Sequence, residues 1–198
     1  MIKFINSNDE PPFAILKDKY QKAIKAQQRN VEAVVISTFN KNSQEVDSRY
    51  VNLKYVDNQD FIFFTNYNSP KAKAIETHKQ VSALIYWDSI NCQIRLKAKI
   101  KKTPHSFNQK YFEIRDIKKN ALAISSCQSK PISSFDEVIK EYNRIKGVND
   151  LTICPEYWGG FLFKPYYFEF WHGGDSRLNK REVYESKDNS WNSYYIQP

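Results

Sequence analysis

Residues 32–38 read EAVVIST, residues 46–56 read VDSRYVNLKYV and residues 61–65 read FIFFT. Each run is short and rich in β-branched or aromatic side chains, which suit a pleated, half-buried surface. Between them lie KNSQ at 41–44 and DNQ at 57–59, polar segments of turn length. Three strands joined by short polar links predict an antiparallel meander.

The pattern repeats outward from this block. Residues 81–87 and 92–102 read as strands, and the second alternates cleanly. Cys92, Ile94, Leu96, Ala98 and Ile100 fall on one face; Gln93, Arg95, Lys97, Lys99 and Lys101 fall on the other. Residues 161–171, 181–185 and 191–196 close the chain as strands. Helices fill the gaps. Pro12 opens one on Phe13, Leu16, Tyr20 and Ala23, running to about residue 28. Ser69-Pro70 pairs a capping serine with a first-turn proline, for a helix to about residue 77. Thr103-Pro104 repeats that signal. Its helix is expected to carry Tyr111 and Arg115 on one face, with Lys119 added if it continues. Ser134-x-x-Glu137 is a capping box, and Gly147 is placed to end that helix. Strands outnumber helices, so the expected class is mainly β with helices (α+β), an antiparallel barrel or sheet.

The chain has 198 residues. Residues 1–10 are expected as an N-terminal tail and 11–198 as a single domain. Hydrophobic residues at 41% and aromatics at 15% supply enough apolar surface for a core, so wholesale disorder is excluded. The formal charge of +8 favours anionic ligands: nucleic acid, acidic membranes or phosphorylated small molecules. Nucleic acid ranks last, because no recognition motif accompanies the comb of Arg95, Lys97, Lys99 and Lys101. Cys92, Cys127 and Cys154 are odd in number and widely spaced, which argues against disulfides and a cysteine zinc site. The three histidines lack metal-ligand spacing, so no metal is expected. Neither a signal peptide nor a membrane span is visible, and the expected location is the cytoplasm. No phosphate-binding glycine loop and no G-x-S-x-G is present, so P-loop and hydrolase chemistry have no support.

What remains is a set of candidate anion sites. Arg49 and Lys54 share one strand, and plain alternation sets them on opposite faces, serving two different groups. The helix opened by Ser69-Pro70 offers backbone N–H donors with Lys71 beside them. Tyr111, Arg115 and Lys119 together suit a phosphate dianion. The segment from Phe170 to Arg181 runs from an aromatic strand through Gly173-Gly174 into Arg177, Lys180 and Arg181, which suits a flat ring beside charge.

Taken together, Arg49-x4-Lys54, Phe64-Thr65, Ser69-x-Lys71, Gln93, Tyr111-x3-Arg115, Gln128-Ser129, Trp158-Gly159-Gly160-Phe161 and Glu169-Phe170-Trp171-x5-Arg177-Leu178-x2-Arg181 resemble the pyridoxamine 5'-phosphate oxidase family. The likeness runs from about residue 11 to the end. It implies an FMN-binding split β-barrel and a homodimer with FMN at the interface. It also implies oxidation of pyridoxamine or pyridoxine 5'-phosphate to pyridoxal 5'-phosphate, with O2 as acceptor and H2O2 as product. By position, Arg49 and Lys71 resemble the ligands of the FMN phosphate. Tyr50, Val51, Lys54, Phe64, Thr65, Ser69, Gln93, Gln128, Ser129, Trp171 and Arg181 resemble further FMN contacts. Lys54, Tyr111, Arg115 and Lys119 resemble the substrate-phosphate clamp, and Arg177 and Asn179 the residues over the substrate ring. Four positions depart from the family pattern: Pro70 and Tyr195 stand for arginines, Lys119 for a serine and Asn179 for a histidine. The alternative reading is a split-barrel relative that binds flavin or pyridoxal phosphate without this oxidase activity.

Overall fold

The computed structural model describes residues 1–148, 150–188 and 190–198. Among them the strands are β1 (Lys3–Ile5), β2 (Ala33–Asn40), β3 (Glu45–Asp57), β4 (Asp60–Asn66), β5 (Gln80–Trp87), β6 (Cys92–Lys102), β7 (Trp158–His172), β8 (Lys180–Lys187) and β9 (Ser190–Tyr195). The helices are α1 (Pro11–Lys25), α2 (Pro70–Thr77), α3 (His105–Glu113), α4 (Ile117–Ser125) and α5 (Phe135–Val148). Neighbouring strands run β3-β2-β5-β6-β7, and β4 pairs with both β7 and β3, which closes a six-stranded barrel. All of its pairings are antiparallel. The hairpin β8-β9 hangs from the far end of β7.

The alternation in 92–102 is realised residue for residue. Cys92, Ile94, Leu96, Ala98 and Ile100 are buried in the barrel, and the polar file faces outward. Phe61, Phe63, Phe161, Phe163, Phe168 and Phe170 fill the interior with tilted and stacked ring pairs. Each such buried ring contributes roughly 1.5–3 kcal/mol of transfer free energy. Two bulges interrupt the ladder. Lys54 is the extra residue between Leu53 and Tyr55 opposite β4, and Tyr166 the extra one between Pro165 and Tyr167 opposite β6. The second accommodates Pro165, which has no N–H to give the ladder.

Several expectations are corrected. The first ten residues are not a free tail: β1 pairs parallel with β3, and Ile2 is buried. The helix after Thr103 does not reach Arg115. α3 stops at Glu113, and α4 begins anew after Asp116, whose carboxylate accepts from the backbone N–H of Lys118 (2.8 Å) and Lys119 (3.3 Å). Ser69 caps α2 by position only, for its hydroxyl accepts from Lys71 and not from a helix N–H. The Thr103 hydroxyl turns to Asn108 and the Gly160 carbonyl. Ser134 accepts from the Glu137 N–H (3.3 Å), but Glu137 bonds the Ser133 hydroxyl in place of the reciprocal partner. α5 passes through Gly147 to Val148.

Gly159 and Gly160 open β7 where α3 crosses it. A Cβ on Gly159 would lie 2.2 Å from Asn108 Nδ2 and 2.3 Å from the Tyr67 hydroxyl. Gly159→Ala is expected to lower stability by about 2 kcal/mol through this overpacking. Chemical denaturation measures it, and an unchanged midpoint would contradict the crowding.

Candidate functional site

Strands β3 and β4, helix α2 and residues 128–129 enclose a cleft of about 350 Å³, lined by Asp47, Arg49, Tyr50, Val51, Phe64, Thr65, Pro70, Lys71, Gln128 and Ser129. Arg49 Nη1 donates to Thr38 Oγ1 (2.8 Å) and the Ile36 carbonyl (3.2 Å), and its Nη2 pairs with Asp47. Lys71 is only 7% exposed. Its ammonium donates to Thr65 Oγ1 (3.1 Å) and Ser69 Oγ (3.2 Å). Thr65 Oγ1 in turn donates to Gln128 Oε1 (3.2 Å). Among the described residues no carboxylate lies within ion-pairing distance of Lys71. Burial pushes its pKa down to about 8, the Arg49 guanidinium adds to the fall, and Asp47 opposes it. A buried ammonium solvated by hydroxyls beside a guanidinium is an arrangement that an anion relieves.

A second cleft of about 380 Å³ lies on the other side of Phe64. Lys54, Tyr111, Arg115, Lys119 and Trp158 line it, together with Met1 and, from β1, Lys3. The bulge in β3 aims Lys54 here, away from Arg49. Burial lowers the Lys54 pKa; Lys119 and Arg115 push the same way, and Glu32 opposes them. Arg115 Nη1 is held by Asn120 Oδ1 at 2.9 Å, and its guanidinium lies 5.0 Å from the centre of the Trp158 ring. Asn120 is itself buried and fixed by the Phe112 and Leu151 carbonyls. Burial raises the Tyr111 pKa, so its phenol stays protonated and can donate.

A third cavity joins the two. It shares Phe64, Thr65 and Gln128 with the first, and Phe64, Arg115, Lys119 and Trp158 with the second. One trough therefore runs from Arg49 and Lys71 to Lys54, Arg115 and Lys119. Its wall is aromatic: Phe64 stacks on Tyr111 with centroids 3.8 Å apart and planes 7° apart, and on Trp158 at 5.3 Å and 8°.

The structure thus gathers Arg49, Tyr50, Val51, Lys54, Phe64, Thr65, Lys71, Tyr111, Arg115, Lys119, Gln128 and Ser129 around one trough, with Ser69 behind Lys71. Within a single chain it does not bring Gln93, Trp171, Arg177, Asn179 or Arg181 to that trough. Gln93, Trp171 and Arg181 instead form a row across β6, β7 and β8, each the direct cross-strand neighbour of the next. Arg177 and Asn179 sit in the loop between β7 and β8. Both Ser176 and Arg177 hold positive φ there, 54° and 64°, a conformation that costs a side-chain-bearing residue free energy. Asn179 Oδ1 accepts from the Gly174 N–H at 3.2 Å.

Residues 20–149 match the family described as pyridoxamine 5'-phosphate oxidase. The chain belongs to the pyridoxamine 5'-phosphate oxidase family. Residues 158–198 match the pyridoxine 5'-phosphate oxidase C-terminal dimerisation region, which takes in β7, β8 and β9. A pyridoxine/pyridoxamine 5'-phosphate oxidase of Hydrogenovibrio crunogenus is 32% identical over 94% of this chain and 88% of its own length. One from Aliarcobacter butzleri is 34% identical over 98% and 92%. Among solved structures, PhzG from Burkholderia lata, in complex with tetrahydrophenazine-1-carboxylic acid, superposes with a TM-score of 0.88 at 25% identity, covering 96% of this chain and 95% of that one. An FMN-binding, pyridoxamine 5'-phosphate oxidase-related protein of Nostoc punctiforme shares the fold, with a TM-score of 0.79 at 12% identity over 96% of this chain and 99% of that one. The molecule is an oxidoreductase of this family, with the family's split-barrel fold.

Sequence reasoning missed four residues of this constellation. Asp47 pairs with Arg49, and its two-residue spacing on the same strand face was the available signal. Phe107 and Tyr55 extend the aromatic wall, and Asn120 holds Arg115; none carries a distinguishing pattern in the sequence. Among the described residues no group of three His, Cys, Asp or Glu could hold a metal ion, and no helix is long and apolar enough to cross a membrane.

Proposed function

We propose that this protein binds FMN and oxidises pyridoxamine or pyridoxine 5'-phosphate to pyridoxal 5'-phosphate with O2 as acceptor. One observation carries the reading: two separate cation clusters stand at the two ends of one continuous trough with a flat aromatic wall. Two phosphoryl esters flanking flat rings fit that layout. Arg49 and Lys71 hold the cofactor phosphate, with Thr65, Gln128, Ser129, Tyr50 and Val51 along the cofactor. Lys54, Tyr111, Arg115 and Lys119 hold the substrate phosphate. In the homodimer, the partner's outward row of Gln93, Trp171 and Arg181 completes the cofactor side, and its Arg177 and Asn179 cover the substrate.

Held there, FMN would supply two-electron acceptor chemistry, with O2 as the final oxidant and H2O2 as its product. The chain's own residues position and desolvate. Clamping the phosphate remote from the reacting carbon fixes that carbon's placement, so binding energy is used for orientation. Phe64, Tyr111 and Trp158 exclude water along one side. No side-chain nucleophile is required.

The purified protein is expected to be yellow and, without oxygen, to bleach on addition of pyridoxamine 5'-phosphate. A yellow protein that neither bleaches nor forms peroxide would leave the second reading, a flavin-binding relative with another substrate. The carboxylate ligand named for the PhzG structure favours that alternative. A pH dependence follows as well. The Lys71 pKa near 8 means that the ligand-free pocket loses a positive charge as pH rises through 8. FMN affinity should fall by about tenfold from pH 7 to 9, and Lys71→Met should flatten that profile. The sign for stability is opposite. The folded pKa lies below the unfolded 10.5, so the cost of burying this ammonium is full below pH 8 and is relieved between 8 and 10.5. Fluorescence titration of FMN across pH measures the first effect.

A further inference from the structure

Glu169 is buried to 1% exposure near the C-terminal end of β7, on the outward file that also carries Trp171. Its carboxylate accepts three hydrogen bonds and makes one further guanidinium contact. Oε1 accepts from Arg181 Nε (2.8 Å) and lies 2.7 Å from Arg181 Nη2; Oε2 accepts from Arg95 Nη1 (2.9 Å) and the Tyr167 hydroxyl (3.2 Å). Arg181 has little freedom left, because its Nη1 donates to the Gln197 carbonyl at 3.1 Å. Trp171 is the direct cross-strand neighbour of both Gln93 and Arg181. The carboxylate therefore sits on the same sheet face, one row along from the row that the proposed flavin site borrows from the partner subunit.

We propose that Glu169 is a positioning residue of the flavin site: held by Arg95 at one oxygen and gripping Arg181 with the other, it fixes Arg181, the end member of the row Gln93, Trp171, Arg181, in the pose that meets the cofactor. The inference rests on the flavin reading above. A buried carboxylate flanked by two guanidiniums leaves the three-residue group with one net positive charge shared over both arms. Arg181 thus meets its ligand as an oriented hydrogen-bond donor and not as an unscreened cation.

The test is a double-mutant cycle on the full-length dimer, read as the FMN dissociation constant by fluorescence titration. Arg181→Met and Glu169→Gln should each weaken binding about tenfold. The double variant should be no weaker than Arg181→Met alone, and Glu169→Asp should recover part of the loss. Additive effects, about a hundredfold in the double variant, overturn the proposal, because Glu169 then acts through some other group. Unchanged affinity in either single variant overturns it too. Should Glu169→Gln fail to fold, the Arg181 Nε–H resonance of ligand-free protein, assigned with Arg181→Met, decides. It should be protected from exchange in the wild type and less protected, though not fully exposed, in Glu169→Asp; an unprotected wild-type signal overturns the arrangement. A wild-type protein that takes up no FMN defeats the flavin reading itself, whereas additivity with normal uptake defeats only the role of Glu169.

Discussion

Replacing Arg49 with methionine is expected to weaken FMN binding about a hundredfold and leave the fold intact. Arg49 supplies the guanidinium of the first cation pair, and its partner Lys71 sits near pKa 8 and is partly neutral at mildly alkaline pH. A lost charge-assisted contact to a phosphoryl group is worth about 1.5–3 kcal/mol, and 2.7 kcal/mol corresponds to a hundredfold. Stability should change little. The ion-pair partner Asp47 is 68% exposed and can be solvated once Arg49 is gone. Far-UV circular dichroism checks the fold and fluorescence titration checks the affinity. Retained affinity in a folded variant would remove Arg49 from the site.

Lys54→Met should raise KM for pyridoxamine 5'-phosphate by about fiftyfold, with kcat within about threefold of the parent, and should raise the melting temperature. The two effects have one cause. Lys54 is desolvated and crowded by Lys119 and Arg115. Among the described residues it has no carboxylate within ion-pairing distance. Removing it relieves like-charge repulsion in the free protein and removes a partner from the bound phosphate. Steady-state kinetics with a parallel thermal melt separate the outcomes. A lower melting temperature with unchanged KM would show that Lys54 serves the fold and not the ligand.

Much of the barrel was legible because its strands carry their own signals. The file from Cys92 to Ile100 is buried as alternation demands, and Arg49 and Lys54 do face different cavities. What stayed hidden depends on partners that a single strand does not show. The bulge at Lys54 exists only relative to β4, and the row Gln93, Trp171, Arg181 only through the register of three strands. Extending one helix through the sequence sets Lys119 near Arg115. Lys119 reaches the pocket from a second helix, and the signal overlooked was Asp116, a good N-cap residue in the middle of an apparently continuous pattern. Glu169 lies inside an aromatic run where one acid on the outward face reads as a solvated charge, and only the meeting of Arg95 and Arg181 reveals its burial.

Strand β7 is the last to enter the barrel, and it alone touches β4, β6 and β8. Until the polypeptide has been synthesised past residue 172, β4 and β6 present raw edges to their surroundings, and closure then requires pairings that span about a hundred residues, such as Phe61 with Phe163. High contact order slows such closure, and open edges invite pairing with other chains. Production of this protein should therefore be limited by events after elongation, and any truncation ahead of β7 should yield aggregates in place of a smaller barrel.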